Sequence, residues 1–407
     1  MQIHWVRPHR VGRRVAMGLV FSLLLAATAC GSSASDTSAD QPATTLAPFP
    51  SAATQTLLDD FVTAGEAPGA ILAISVKGGP PTILTSGVSD PRTLTPMKPD
   101  DVFAIASITK TFTAALILKS VRDGKIDLDA SINTYGVDFP NGDKITVRQL
   151  LNHTSGIPPL GGDGGHDAYA AAFQQKILGD LSHHYTPSEI IAYVRDRPLL
   201  FPPGTSTSYS NVNAILAGQI VEHVTGTSLV SAFHTELLDP LKLASTHYAA
   251  AEPPPVKPIP GEFTLDDKGP VLNTGDFDST SVLTSTGAAG AMVSDAADVI
   301  TWGNALLRDG SVLGADLTRQ AHTLGSGDTG LGVVGFARNG ICAASSCPTP
   351  TASTPFGHAG SLPGASSLLL YDPGSDTAIV IFTNREPVIG ITGLAQDVLA
   401  QAANGGG

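Results

Sequence analysis

Phe103-Ala104-Ile105-Ala106-Ser107-Ile108-Thr109-Lys110, residues 103–110, is an apolar approach to a serine, with a lysine three positions beyond it. Residues 107–122 read as a helix, with apolar positions at Phe112, Ala115, Leu116 and Val121 and a stop at Asp123-Gly124. A serine at a helix start gains from the helix dipole, which favours negative charge there. The i to i+3 spacing puts Lys110 on the face that carries Ser107. Lysine acts as a base only in its neutral form, and at an ordinary pKa that form costs about 4–5 kcal/mol at pH 7. Burial or a neighbouring cation has to lower that cost. Taken alone, Ser-x-x-Lys fits equally a helix cap beside a surface lysine.

On the N-terminal side, residues 53–63 suit an amphipathic helix on Leu57, Leu58, Phe61 and Val62, ended by Pro68-Gly69. Strands are expected at 70–76 and 82–87, joined by the hairpin signal Gly78-Gly79-Pro80-Pro81. On the C-terminal side, helical segments dominate from about 145 to 240, and a proline-crowded loop covers 249–270. Residues 292–309 read as helix, 331–337, 365–371 and 377–383 as strands, and 389–402 as a last helix. Strands therefore come from both ends of the chain and helices from its middle. The economical arrangement is one sheet flanked by helices, with a mainly helical subdomain inserted over roughly 125–290. A cleft between the two parts is the expected site.

Two further stretches carry chemistry. Tyr209-Ser210-Asn211 follows Phe201-Pro202-Pro203-Gly204. A tyrosine held near a lysine can shuttle a proton because their free pKa values nearly match. Asn211 offers a donor and an acceptor to a substrate amide; the same residues also suit a capped helix start before Val212. His358-Ala359-Gly360-Ser361 stands just before the strand at 365–371. Glycine on an edge strand lets a substrate backbone approach closely. The amides of Ser361 and Ser107 could together face a developing oxyanion, although a turn with a solvated histidine fits this stretch too.

The order Ser-x-x-Lys, Tyr-x-Asn, His-x-Gly, spread over about 250 residues, resembles the serine β-lactamase and penicillin-binding-protein superfamily. The nearer likeness is to the branch of class C β-lactamases, D-alanyl-D-alanine carboxypeptidases and related esterases. Leu150-Leu151-Asn152-His153-Thr154-Ser155-Gly156-Ile157 and Gly287-Ala288-Ala289-Gly290-Ala291-Met292-Val293-Ser294 are similar to that branch as well. The resemblance implies an α+β fold of the β-lactamase/DD-peptidase type, with an antiparallel sheet of about five strands. It makes Ser107 the nucleophile of an acyl-enzyme, Lys110 and Tyr209 a coupled proton-transfer pair, and Asn211, His358, Gly360 and Ser361 the substrate-binding residues. No cofactor or metal is implied.

The third motif departs from the Lys-Thr-Gly or His-Thr-Gly usual in that branch. Ala359 lacks a hydroxyl, and a histidine at 358 is mostly neutral at pH 7. Both weaken recognition of a terminal carboxylate and leave a backbone oxyanion hole intact. The expected activity is thus that of an esterase or modest D-Ala-D-Ala-type peptidase, on a small-molecule or peptide substrate such as a cell-wall fragment. The alternatives are a low-turnover penicillin binder and a non-catalytic peptidoglycan-binding lipoprotein.

Of the 407 residues, 42% are hydrophobic and 14% charged, as in a globular chain. The net charge of −13 offers no basic stripe for nucleic acid. Residues 1–29 read as a signal peptide: Arg7, Arg10, Arg13 and Arg14 precede the apolar run 15–27, which is short for a membrane span. Ala27-Thr28-Ala29-Cys30 resembles a bacterial lipoprotein signal, with Ala27 where leucine is usual. Cleavage near Ala29 with an incidental Cys30 is the alternative, giving a secreted protein; Arg13-Arg14 fits a twin-arginine signal poorly. Without residues 1–29 the net charge is −17, so an outer-face membrane location would rest on the lipid and not on basic contacts.

Residues 30–50 form a Ser/Ala/Thr-rich tether, and the hydrolase domain is expected over 51–407. Cys342 and Cys347 remain as a pair, for which a local disulfide is the default in an exported chain. The pattern Gly-x-Gly-x-x-Gly at 330–335 opens no helix and reads as strand-edge glycines. His183-His184 lacks metal-ligand spacing and reads as solvated loop, and no G-x-S-x-G elbow occurs. Cys30→Ala is expected to abolish partitioning of the chain into membranes; unchanged partitioning on fractionation would refute the anchor.

Overall fold

Ala70-Ile71-Leu72-Ala73-Ile74 and Ala378-Ile379-Val380-Ile381-Phe382 are buried almost without interruption, the pattern of strands covered on both faces. They lie in β1 (Gly69–Val76) and the partner strand Thr377–Thr383, which run antiparallel with Leu72 opposite Ile381. The computed structural model describes residues 49–160, 168–265, 269–336, 354–388 and 390–405. The expected leader, Cys30, Cys342 and Cys347 lie outside them.

Three strands follow β1 before the Ser107 region: β2 (Thr82–Asp90), β3 (Thr95–Pro96) and β4 (Phe103–Ala104). The middle of the chain adds β5 (His247–Tyr248), β6 (Glu262–Phe263), β7 (Leu272–Asn273) and β8 (Met292–Ser294). The C-terminal part supplies β9 (Val334–Gly335), β10 (Phe356–Leu362), β11 (Ala365–Asp372), β12 (Thr377–Thr383) and β13 (Arg385–Glu386). The main sheet runs β3-β2-β1-β12-β11-β10-β9, all neighbours antiparallel. Five of its strands are long; the two-residue strands β3 and β9 at its edges raise the expected five to seven.

Alternation along the strands divides the core. Leu72 and Ile74 of β1, with Ile379 and Ile381 of β12, pack under Leu58, Phe61, Leu394 and Val398 of the first and last helices, Ala52–Thr63 and Ile391–Gly405. Ile71, Ala73, Val380 and Phe382 point the other way, into the larger core around the helix Thr109–Arg122. Within that helix every residue from Thr109 to Leu118 is buried. Phe112 stacks on Trp302 with ring centroids 4.0 Å apart, and Trp302 Nε1 donates to Thr111 Oγ1 at 2.8 Å. No described helix is long and apolar enough to cross a membrane.

Two expectations change. Among the described residues of the strand read at 331–337, only Val334–Gly335 pairs as a strand. The glycines there serve contact: a Cβ on Gly332 would sit 2.2 Å from Ala114 Cβ, and one on Gly330 2.2 Å from Ala321 O. Residues 292–309 begin as the strand β8, and the helix starts at Ala296, where Asp295 caps it by accepting from Asp298 N at 2.8 Å.

Glu386 of β13 is 6% exposed, and Ser361 Oγ donates to its Oε1 at 2.9 Å. Burial pushes its carboxyl up to about 7 despite that hydrogen bond. A carboxyl raised in this way holds its proton more tightly folded than unfolded. Its penalty is absent below its ordinary value near 4.5, grows as pH rises to about 7, and is constant above that. Denaturant titrations should show Glu386→Gln matching wild type near pH 4.5 and exceeding it above pH 7, by up to roughly 3 kcal/mol. Parallel stability curves for the two proteins would contradict the assignment.

Candidate active site

The backbone turns sharply at Ala106, which has a φ of +48°, and Ser107 follows in a single 3-10 turn, Ala106–Ile108, before the helix begins at Thr109. A left-handed conformation at a residue with a Cβ costs of order 1–3 kcal/mol and has to be held by its surroundings. Those surroundings are β10 and β11. Ser367 Oγ donates to Ile105 O at 2.8 Å. A Cβ on Gly360 would lie 2.6 Å from Ile105 O and 2.9 Å from Ala106 Cβ. Only glycine lets the strand close onto this turn, and the closure brings the Gly360-Ser361 backbone beside Ser107.

Ser107 is half-buried and Lys110 is 3% exposed. Lys110 Nζ lies 2.9 Å from Ser107 Oγ and donates to Ala289 O at 2.7 Å. Among the described residues no carboxylate pairs with it. Burial therefore drives its pKa well below the ordinary lysine value, with no counter-charge to restore it. Tyr209 is hydrogen-bonded to Ser107, and Lys110 Nζ stands 4.8 Å from the centre of its ring. Burial raises the phenol pKa, and the Ser107 hydrogen bond offsets part of the rise. Burial thus favours the neutral form of both partners, the free amine and the intact phenol.

The stretch Gly287–Ser294 is a rail for this helix. Thr113 Oγ1 donates to Ala288 O at 2.7 Å, Lys110 Nζ to Ala289 O, and Met292 N donates to Thr109 Oγ1 at 3.1 Å. Three positions in the first five residues of the helix, Thr109, Lys110 and Thr113, are thereby tied to backbone groups of one stretch.

Asn211 opens the helix Asn211–Thr225, and its Oδ1 is buried without a hydrogen-bond partner. Ser210 occupies the N-cap position but makes no cap bond, since its Oγ donates to Pro158 O at 3.1 Å. The capping alternative for this motif thus fails at Ser210. His358 is 4% exposed and its ring centroid lies 6.1 Å from that of Tyr209. Burial first, then the Lys110 charge, pushes its pKa down to about 3, so it is neutral; its Nδ1 lies 2.7 Å from Ala359 O. It is a buried strand residue and not a solvated turn. The Ser361 hydroxyl is committed to Glu386, which leaves the residue's backbone to the cleft. The structure thus gathers Ser107, Lys110, Tyr209 and His358, with the Gly360-Ser361 backbone beside them.

His153, in the stretch 150–157, supports the site. Its ring packs against that of Tyr209 with centroids 4.4 Å apart and planes tilted by 33°, and its Nδ1 accepts from Ser210 N at 3.3 Å and lies 3.1 Å from Asn213 Nδ2. Asn213 Oδ1 in turn accepts from Ser155 Oγ at 2.7 Å. With Nδ1 accepting, the proton sits on Nε2 and the ring is neutral, as burial also dictates. His153 thereby fixes Tyr209 from behind. A buried polar side chain with a φ of +58° leaves no periodic trace in sequence.

The chain is similar to known proteins in sequence and fold. The chain is 30% identical over 173 residues to Esterase EstB of Burkholderia gladioli, a match covering 41% of this chain and 43% of that one, so it spans less than half of that relative. Its structure superposes on D-amino acid amidase from Ochrobactrum anthropi SV3 with a TM-score of 0.73 and 27% identity, over 87% of this chain and 99% of the other. A D-stereospecific amidohydrolase from Streptomyces sp. gives 0.70 and 30%, over 86% and 97%. The family described as Beta-lactamase matches residues 54–403, most of the chain, and the chain belongs to that family.

Proposed function

We propose that the protein is a serine hydrolase that opens an ester or a small peptide-like amide through an acyl-enzyme on Ser107. The observation that carries this reading is the 2.9 Å approach of a buried, unpaired lysine amine to the Ser107 hydroxyl. In the neutral amine, one N–H is held by Ala289 O and the lone pair is free to accept the Ser107 proton. Ser107 Oγ then attacks the substrate carbonyl carbon, and the oxyanion is met by the Ser107 and Ser361 amides. The proton returns through Lys110 and Tyr209 to the leaving alcohol or amine, and water, activated by the same pair, releases the acid. Asn211 positions the acyl chain.

The substrate class follows from charge. His358 is neutral and Ala359 has no hydroxyl, so nothing in the third motif rewards a free carboxylate. This disfavours efficient penicillin turnover. The likeness to an esterase and to amidases of D-amino acids supports esters and D-aminoacyl amides. Export and a lipid anchor on Cys30 complete the reading, with cell-wall fragments within reach at the outer face of the membrane.

Intact-mass analysis of the chain with a short aryl ester, a D-aminoacyl amide or penicillin tests it beside Ser107→Ala. Turnover of ester or amide by wild type alone is expected, with penicillin giving at most a slow adduct. Penicillin hydrolysis near the diffusion limit would overturn the substrate class, and absence of any Ser107-dependent chemistry would move the non-catalytic binding module to the front. Because the protonated amine is inactive, kcat/KM should rise with pH through a pKa below the ordinary lysine value. Lys110→Arg should cost at least about 100-fold. A rate that is independent of Lys110 would exclude it as the base.

A further inference from the structure

Away from Ser107, three side chains with metal-ligand chemistry converge. His234 begins a π-helical segment, His234–Leu238, that continues the short helix Leu229–Phe233. His247 lies on β5, and Glu252 follows in the turn after it. One ligand atom from each falls within 4.8 Å of the others. His234 Nε2 is 3.0 Å from Glu252 Oε1 and 3.2 Å from Oε2. His247 Nδ1 is 3.6 Å from the same Oε1. In a tetrahedral zinc site with bonds of about 2.0–2.1 Å, neighbouring ligand atoms stand roughly 3.3 Å apart. The two measured edges bracket that value.

Three details separate this group from an ordinary ion pair. His247 has Nδ1 aimed at the carboxylate beyond hydrogen-bond distance, and its Nε2 is buried with no partner. It is held in place without a hydrogen bond of its own. The Glu252 carboxylate is fixed in turn by Tyr248 N, which donates to Oε1 at 3.2 Å. Finally, Asp239 Oδ1 stands 3.4 Å from His234 Nδ1, behind the face that meets Glu252. A carboxylate on the far nitrogen of a ligating histidine fixes its tautomer and raises its basicity. All three side chains are partly exposed, so an ion can enter and solvent can supply a fourth ligand.

We propose that His234, His247 and Glu252 form a binding site for a divalent transition-metal ion, with zinc the best fit to two imidazoles and one carboxylate. Asp239 orients His234 from outside the ligand set. On binding, the proton between His234 Nε2 and Glu252 leaves to solvent and the ion takes its place. His247 pairs with Val293 of β8, and Val293 pairs with Ala104 of β4, three residues before Ser107. The ion would therefore clasp the His234 helical segment to the small sheet that leads into the nucleophile turn. The role is structural, and it stands independently of the proposed hydrolase chemistry.

The test uses the full chain stripped with a chelator and titrated with Zn²⁺. One zinc per chain by elemental analysis is expected, with a rise in Tm. Co²⁺ should give the visible absorption of a tetrahedral site. His247→Ala and Glu252→Gln, each checked for native circular dichroism, should lose the ion and the Tm rise, while Ser107→Ala keeps both. Asp239→Asn should weaken binding about tenfold or more. Failure of the wild type to take up zinc, or undiminished uptake by Glu252→Gln, would overturn the site. Glu252→Gln keeps the size of the side chain and so reads binding even where His247→Ala unfolds.

Discussion

A lysine amine sealed in the core with a backbone carbonyl and a serine hydroxyl for company is the constraint around which this fold is organised. An isolated charge there would cost several kcal/mol even after relaxation. The molecule meets that cost by lowering the charged population and not by adding a counter-ion, since Lys110 bonds Ala289 O and no described carboxylate approaches it. A nearby acid would restore the ammonium. The helix must therefore be buried on all sides at this level, and from Thr109 to Leu118 it is. Phe112 on Trp302 and the bonds from Thr109 and Thr113 to the 288–292 backbone keep it so.

Burying a helix so completely needs cover from distant sequence. The sheet supplies it by pairing β1 from one end of the chain with β12 from the other, and β10 then closes over Ser107. Gly360 sets the distance of that closure. Any side chain there would strike Ile105 O and Ala106 Cβ, open the turn, and carry the 361 amide away from the serine. The positive φ at Ala106 belongs to the same arrangement, since strain of that kind persists only where packing over-determines it.

Sequence reading reaches the parts of this molecule that repeat. β1 and β12 are almost continuous apolar runs, β11 carries the apolar stretch 368–371, and the helix at 109–122 shows its period, so each is found within a few residues. β10 shows neither: Gly357, Gly360 and the polar 358 and 361 look like a turn, because its packing is done by backbone contact. Of the strand read at 331–337, two of the described residues form strand, for the same reason. The motif residues Ser107, Lys110, Tyr209 and His358 are legible as a pattern, and their protonation is not. Burial sets it, and the long-range contacts that set burial have no local signature. His153 behind Tyr209 and Glu386 behind Ser361 belong to that hidden class.

Under the proposed function, the same burial bears on the kind of substrate the cleft suits. Lys110, Tyr209, His153 and His358 are all pushed toward their neutral forms. A site of neutral groups in a low-dielectric pocket has little field with which to hold a charged ground state. Each hydrogen bond to charge that appears only during reaction is correspondingly strengthened. Selectivity of this kind lies between ground state and transition state, and it favours an uncharged carbonyl that becomes an oxyanion over a carboxylate that is already one. Under the proposed function, a buried neutral His358 and an Ala359 without a hydroxyl offer a carboxylate little at the third motif while leaving the backbone donors in place. On that proposal the departure from Lys-Thr-Gly or His-Thr-Gly, at Ala359, acts on substrate binding through a side chain that never touches the reacting bond.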